Sequence, residues 1–160
     1  MEKTSVLIAM FAALTAILGL VPSMQIVPNV PITAQSLGIM LCGTILGAKK
    51  GGLAALFFVI LTLIGLPLLA GGRGGIGVLA GSSAGFIIGF PIAAFVTGWF
   101  MEHTKSVDIR IATILSATSG GIVVLYIPGV FGMMVNGGYS LEGAMVATAV
   151  FLPGDIIKVI

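Results

Sequence analysis

The stretch "LLAGGRGGIG", residues 68–77, decides between two folds. Gly72, Gly74 and Gly77 fall at the spacing G-x-G-x-x-G, which in a soluble α/β domain marks a dinucleotide-binding turn. That turn requires a strand before it, a helix after it and an acidic residue about 20 positions on. Here no Asp or Glu occurs between positions 74 and 101, and the preceding residues 52–69 form an apolar run of helical length. The glycines are therefore read as a flexible turn between two membrane spans, with Arg73 at its centre.

Composition supports this reading across the chain. Of 160 residues, 58% are hydrophobic and 8% charged, against about 25% charged in a soluble domain. So few charges cannot cover a water-facing surface, and the chain reads as a membrane protein. A net charge of +2 without a basic cluster gives no case for a nucleic-acid partner. The single cysteine, Cys42, excludes an internal disulfide and any cysteine-based zinc cluster. The N-terminus is apolar like a signal peptide, but Glu2 offsets Lys3 and no small-x-small cleavage site follows clearly. It is read as a retained first span.

The spans follow from the positions of the twelve charged residues and the Pro/Gly clusters. A crossing helix needs about 20 apolar residues. Residues 5–21 supply the first and end at "VPSMQIVPNVP", whose prolines Pro22, Pro28 and Pro31 exclude a helix interior. Residues 33–48 and 52–69 flank the turn "AKKGG"; residues 76–101 and 111–133 flank the polar loop "EHTKSVDIR". Residues 141–152 are too short to span and read as a short or re-entrant helix. A sixth span starts at Pro153, a favoured first-turn residue, and carries Asp155 and Lys158. The sequence is expected to stop partway through that helix. With the N-terminus in the cytoplasm, Lys3, Lys49, Lys50, Lys105 and Arg110 fall inside and Arg73 outside, as positive charge distributes in membrane proteins.

Small residues suggest how the helices meet. Gly77, Gly81, Gly85 and Gly89 form an i, i+4 ladder on the predicted fourth helix. Ala9/Ala13 and Ala12/Ala16 do the same on the first. Such faces let helix backbones approach closely in lipid; the glycine ladder suits internal packing, and an alanine face on a terminal helix is open to docking another protein.

Few residues can carry chemistry. Ionisable groups within spans are costly and usually partnered, which selects Asp155 and Lys158, neighbours on one helix face at i, i+3. Arg73 can present its guanidinium to an anion from the outer turn. There is no G-x-x-x-x-G-K-[ST] loop, no metal-ligand spacing, and His103 sits alone in a polar loop, so neither ATP binding nor a catalytic triad is expected. "LPGD" is similar to the Gly-x-Gly-Asp of intramembrane aspartyl proteases, but residue 152 is leucine and the only other aspartate, Asp108, lies in a loop. The chain is read as a transport or binding bundle, with no enzyme activity and no cofactor.

Three blocks, "VPITAQSLGIMLCGTILGAKKGGLA" (30–54), "GLPLLAGGRGGIGVLAGSSAGFIIGFPIAA" (65–94) and "FLPGDIIK" (151–158), resemble the BioY family in order and spacing. Members of that family are biotin-binding S components of energy-coupling factor (ECF) vitamin transporters. The resemblance implies an all-α, polytopic bundle of six transmembrane helices in the cytoplasmic membrane, with both termini cytoplasmic. It implies that Asp155 and Lys158 contact biotin and that "VPITAQ" closes over the pocket, with Thr33 and Gln35 as its polar residues. Asp155 can accept from the ureido N–H groups and Lys158 can donate to an oxygen. Arg73 is assigned to the carboxylate, an assignment that can be exchanged with Lys158, while Phe86 and Tyr126 pack on the bicyclic ring. The segment Gly81-Ser82-Ser83-Ala84-Gly85-Phe86 departs from the family's Gly-Pro-Thr followed by Gly-Gly-Tyr. S components dock on a transmembrane coupling subunit, which binds two ATPases; the Ala9/Ala13 and Ala12/Ala16 faces are the expected contacts. The competing readings are an S component for another vitamin, a solitary transporter without the ATPase module, and an intramembrane enzyme.

Overall fold

The computed structural model describes residues 2–27, 30–104 and 106–160, with the side chains of residues 25–27 excepted. Pro28 of the predicted breaker and Lys105 of the predicted inner loop lie outside the described residues. The chain is a helical bundle. Helix α1 (Glu2–Leu18) leads to strands β1 (Met24–Val27) and β2 (Val30–Ile32), then α2 (Gln35–Leu63), a 3₁₀ turn (Ile76–Ala80) and α3 (Ala84–His103). Helix α4 (Ile109–Thr118) continues through a π-helical turn (Ser119–Val124) into α5 (Leu125–Gly137), followed by α6 (Leu141–Ala149) and α7 (Leu152–Val159). Among the described residues three helical segments, Gln35–Leu63, Ala84–His103 and Ile109–Gly137, are long and apolar enough to cross a membrane.

The first of these is two arms. Gly47 has φ 80° and ψ −180°, a backbone region essentially confined to glycine, and there the chain doubles back. Residues 35–46 and 48–63 then lie side by side, close enough that a Cβ on Gly51 would strike the Cys42 carbonyl. The reversal thus falls just ahead of "AKKGG", and Lys49 and Lys50 sit in the first turn of the returning arm. Glu102 at the end of α3 fixes the corner: its Oε1 accepts from the Ala48 N–H at 2.9 Å, where a helix N-terminus has unpaired donors. Gly98 packs directly on Gly47 and Ala48. His103, given no catalytic role, has its Nδ1 2.7 Å from the Trp99 carbonyl oxygen and its ring 4.3 Å from the Trp99 ring.

Helix α1 packs along the first arm through Phe11, Ala12 and Thr15, with Gly38 lying directly on Thr15. The terminal segment expected to be a retained span is thereby part of the core. Ala12 is 2% exposed and the part-buried Ala16 packs on the same core cluster, so that pair is turned toward the bundle. Ala9 and Ala13 lie on the exposed side.

The predicted fourth span is shorter than its glycine ladder. Gly75 has φ 83° and Gly81 is extended (φ −87°, ψ 163°), so residues 76–80 form a separate 3₁₀ turn and α3 starts at Ala84. Only Gly85 and Gly89 belong to the helix. They serve the packing expected of them, Gly85 against the Pro128 carbonyl and the Gly132 Cα, Gly89 against the Pro128 ring. Pro128 cannot donate a backbone hydrogen bond to Val124, and Val124 is the last residue of the π turn. In and just after the breaker, β1 and β2 pair antiparallel, with Met24 opposite Ile32 and Val27 opposite Val30. This strand pair and an isolated antiparallel bridge between Leu69 and Arg73 are the β structure among the described residues.

Candidate binding site

All the side chains that converge on the site reach it from the end of the bundle opposite the Gly47 corner. Gln35 opens α2 there and is 2% exposed. Its Nε2 donates to the carbonyls of Leu68 (2.9 Å) and Thr15 (3.4 Å), and its Oε1 accepts from the Ala70 N–H (3.2 Å). One amide thus ties α1, α2 and the 64–75 loop together. Gln35 lines the cavity, with both amide N–H groups and the carbonyl engaged by protein partners.

One residue on, Ser36 Oγ donates to Asp155 Oδ1 at 3.0 Å and accepts from Lys158 Nζ at 2.8 Å. Lys158 Nζ also pairs with Asp155 Oδ1 at 2.7 Å and donates to the Thr33 carbonyl at 2.7 Å. Tyr126 donates its hydroxyl to Asp155 Oδ2 at 2.7 Å. The predicted i, i+3 pair is therefore real, and it sits in a network from three further segments. Asp155 is 4% exposed, and a buried charge requires such partners because its hydration has been lost. The sequence reading missed Ser36, whose position in "TAQS" carries no signature of its own.

Around this polar corner the wall is apolar. Phe86 stands edge-on to Tyr126 (centroids 6.3 Å, 82°) and to Phe151 (5.9 Å, 88°), a favoured aromatic geometry. Gly129 makes room for the Phe86 ring, which a Cβ there would strike. Val30, Ile32, Ile87, Phe90 and Leu125 complete the lining. The free volume of the cavity is about 70 Å³, below the usual 300–1,000 Å³ or so of ligand pockets. Thr33, Gln35, Arg73, Phe86, Tyr126, Asp155 and Lys158 all line it. Thr33 contributes through its carbonyl to Lys158, while its Oγ1 accepts from the Gln35 N–H at 3.2 Å.

Arg73 sits at the rim. Its Nε donates to the Ala70 carbonyl (3.2 Å) and an Nη to Ser83 Oγ (3.4 Å), both long contacts. Half-burial in the loop lowers its pKa from the ordinary arginine value, because the charge has lost part of its hydration. No carboxylate among the described residues pairs with it. Among the described residues no group of three His, Cys, Asp or Glu side chains could hold a metal ion.

A helical membrane bundle enclosing one polar-cornered, aromatic-walled cavity defines a small-molecule binding membrane protein. The chain belongs to the BioY family, whose model matches residues 2–160. It is 46% identical over 169 aligned positions to the biotin transporter BioY of Rhodobacter capsulatus, covering 100% of this chain and 89% of that protein. The Rhizobium etli biotin transporter BioY is 44% identical, with 97% and 86% covered. The crystal structure of the S-component for biotin from an ECF-type ABC transporter superposes with a TM-score of 0.91 at 31% identity, covering 99% of this chain and 85% of that one.

Proposed function

We propose that this chain captures biotin in the membrane as the S component of an ECF-type uptake transporter, acting by binding and not by catalysis. The observation that carries this is the Asp155–Lys158–Ser36–Tyr126 network in an otherwise apolar, aromatic-walled cavity. A ureido ring offers two N–H donors and one carbonyl, which a carboxylate and an ammonium complement. Asp155 accepts from the ring N–H groups, Lys158 donates to its oxygen, and Phe86 and Tyr126 flank the bicyclic system. Arg73 at the rim takes the carboxylate of the tail. The β1–β2 hairpin covers the site, held down by Lys158 on the Thr33 carbonyl.

The energising partners are a transmembrane coupling subunit and, through it, two ATPases. The exposed Ala9/Ala13 side of α1 is the proposed docking face. Lys3, Lys49, Lys50 and Arg110 gather at the Gly47 end of the bundle, which supports a cytoplasmic placement for that end of the protein. Calorimetry on the purified chain tests the ligand. Biotin is expected to bind tightly, with thiamin and riboflavin inert; binding of another vitamin in its place rejects the assignment.

A further inference from the structure

A second cavity adjoins the first on the far side of Arg73. It is lined by Pro31, Gly72, Arg73, Gly74, Gly77, Val78 and Gly81, and holds about 470 Å³. Pro31 and Arg73 line both cavities and form the wall between them. Arg73 is the one charged residue of this outer chamber.

The glycines there are of two kinds. Gly72 has φ +70°, and a Cβ on Gly74 would strike the Leu66 carbonyl, so conformation and packing explain those two. Neither explains Gly77 or Gly81. A Cβ on Gly77 meets nothing within 4 Å, one on Gly81 meets only the Val78 carbonyl at 3.6 Å, and neither has a positive φ. A glycine in a helical turn costs roughly 1 kcal/mol relative to alanine, yet Gly77 lies inside the 3₁₀ turn. What the missing side chains provide is open space beside the guanidinium.

We propose that the outer chamber is a subsite for whatever is joined to the carboxyl end of the ligand. The protein then takes biotin carried in amide linkage as well as the free acid. This rests on the biotin reading and on Arg73 meeting the tail. With the ring held at Asp155, a tail that reaches Arg73 ends at the wall between the chambers, and a chain continuing from that carbon enters the outer one. The amide carbonyl keeps an acceptor for the guanidinium but loses the charge, a change that weakens such a hydrogen bond by about tenfold.

The test is titration of the purified full chain with free biotin and with biotin amide-linked to the side-chain amine of lysine. The amide is expected to bind within about tenfold of the free acid. Gly77→Phe is expected to lower amide affinity at least tenfold while leaving the free acid unchanged. Binding of the free acid without the amide overturns the subsite, as does a folded Gly77→Phe protein that keeps the amide or loses both ligands. If Gly77→Phe does not fold, Gly81→Leu is read by the same criteria. Failure of free biotin to bind the unaltered chain overturns the underlying reading instead.

Discussion

At the level of single residues, the site turns on how one carboxylate is saturated. Asp155 receives Ser36 and Lys158 on Oδ1 and Tyr126 on Oδ2. Hydrogen bonds to charged groups contribute about 1.5–3 kcal/mol each. Asp155→Asn is therefore expected to weaken biotin binding by about tenfold or more, measured by calorimetry, with a thermal unfolding scan to verify that the protein remains folded; unchanged affinity would remove Asp155 from the site. Ser36→Ala leaves the ion pair in place but frees both partners to swing. It is expected to cost several-fold in affinity, roughly one neutral hydrogen bond, and to cost little more in the Asp155→Asn background. Full additivity in that double-mutant cycle would mean that Ser36 acts independently of the carboxylate. Asp155 and Lys158 could be read from the sequence because charges inside an apolar run must find partners. Ser36 could not, since its role exists only once α2 and α7 are adjacent. Gln35 was singled out as a lid residue, yet its amide joins three backbone segments whose proximity no local pattern announces.

At the level of elements, glycines decide where helices end and how closely they approach. The alternation of apolar runs with charged or Pro/Gly turns located most helices, because hydrocarbon thickness constrains their length. It misplaced several boundaries, among them the end of the returning arm, which stops at Leu63 and not at residue 69. The reversal at Gly47 and the late start of α3 depend on backbone angles of single glycines, and a glycine in sequence does not disclose its φ. Gly47→Ala is expected to destabilise the protein by about 1–3 kcal/mol, seen as a lower unfolding temperature in detergent. An unaltered melting temperature would show that the corner relaxes without cost. The hairpin in the outer loop was also unseen, since "VPSMQIVPNVP" has too few alternating residues to announce strands.

For the whole molecule, α1 has two sides with different duties. Ala12 is buried in the core and Ala13 is exposed beside it in sequence. Ala12→Leu is expected to overpack the α1–α2 contact, lowering stability by about 1–3 kcal/mol whether or not a partner is present. Ala13→Leu is expected to leave biotin affinity and melting temperature unchanged while impairing co-purification with the coupling subunit. Loss of ligand binding in Ala13→Leu, or normal assembly, would count against the proposed docking face. The sequence offered both alanine pairs equally, because a period of four does not say which side of a helix meets its own bundle.

The Lys158 link to the Thr33 carbonyl spans 125 positions in the chain, and this bears on how the protein is made. Hairpin, α2 and Tyr126 are all synthesised before α7, so the cavity is completed by the segment that leaves the ribosome after them. Asp or Lys alone at the centre of an inserting helix costs about 2.5–3.5 kcal/mol. Because Asp155 and Lys158 neutralise each other at i, i+3 on α7 itself, that segment can enter the bilayer as an uncharged unit and find Ser36, Thr33 and Tyr126 afterwards. The ion pair thereby lowers the cost of placing its own helix in the bilayer.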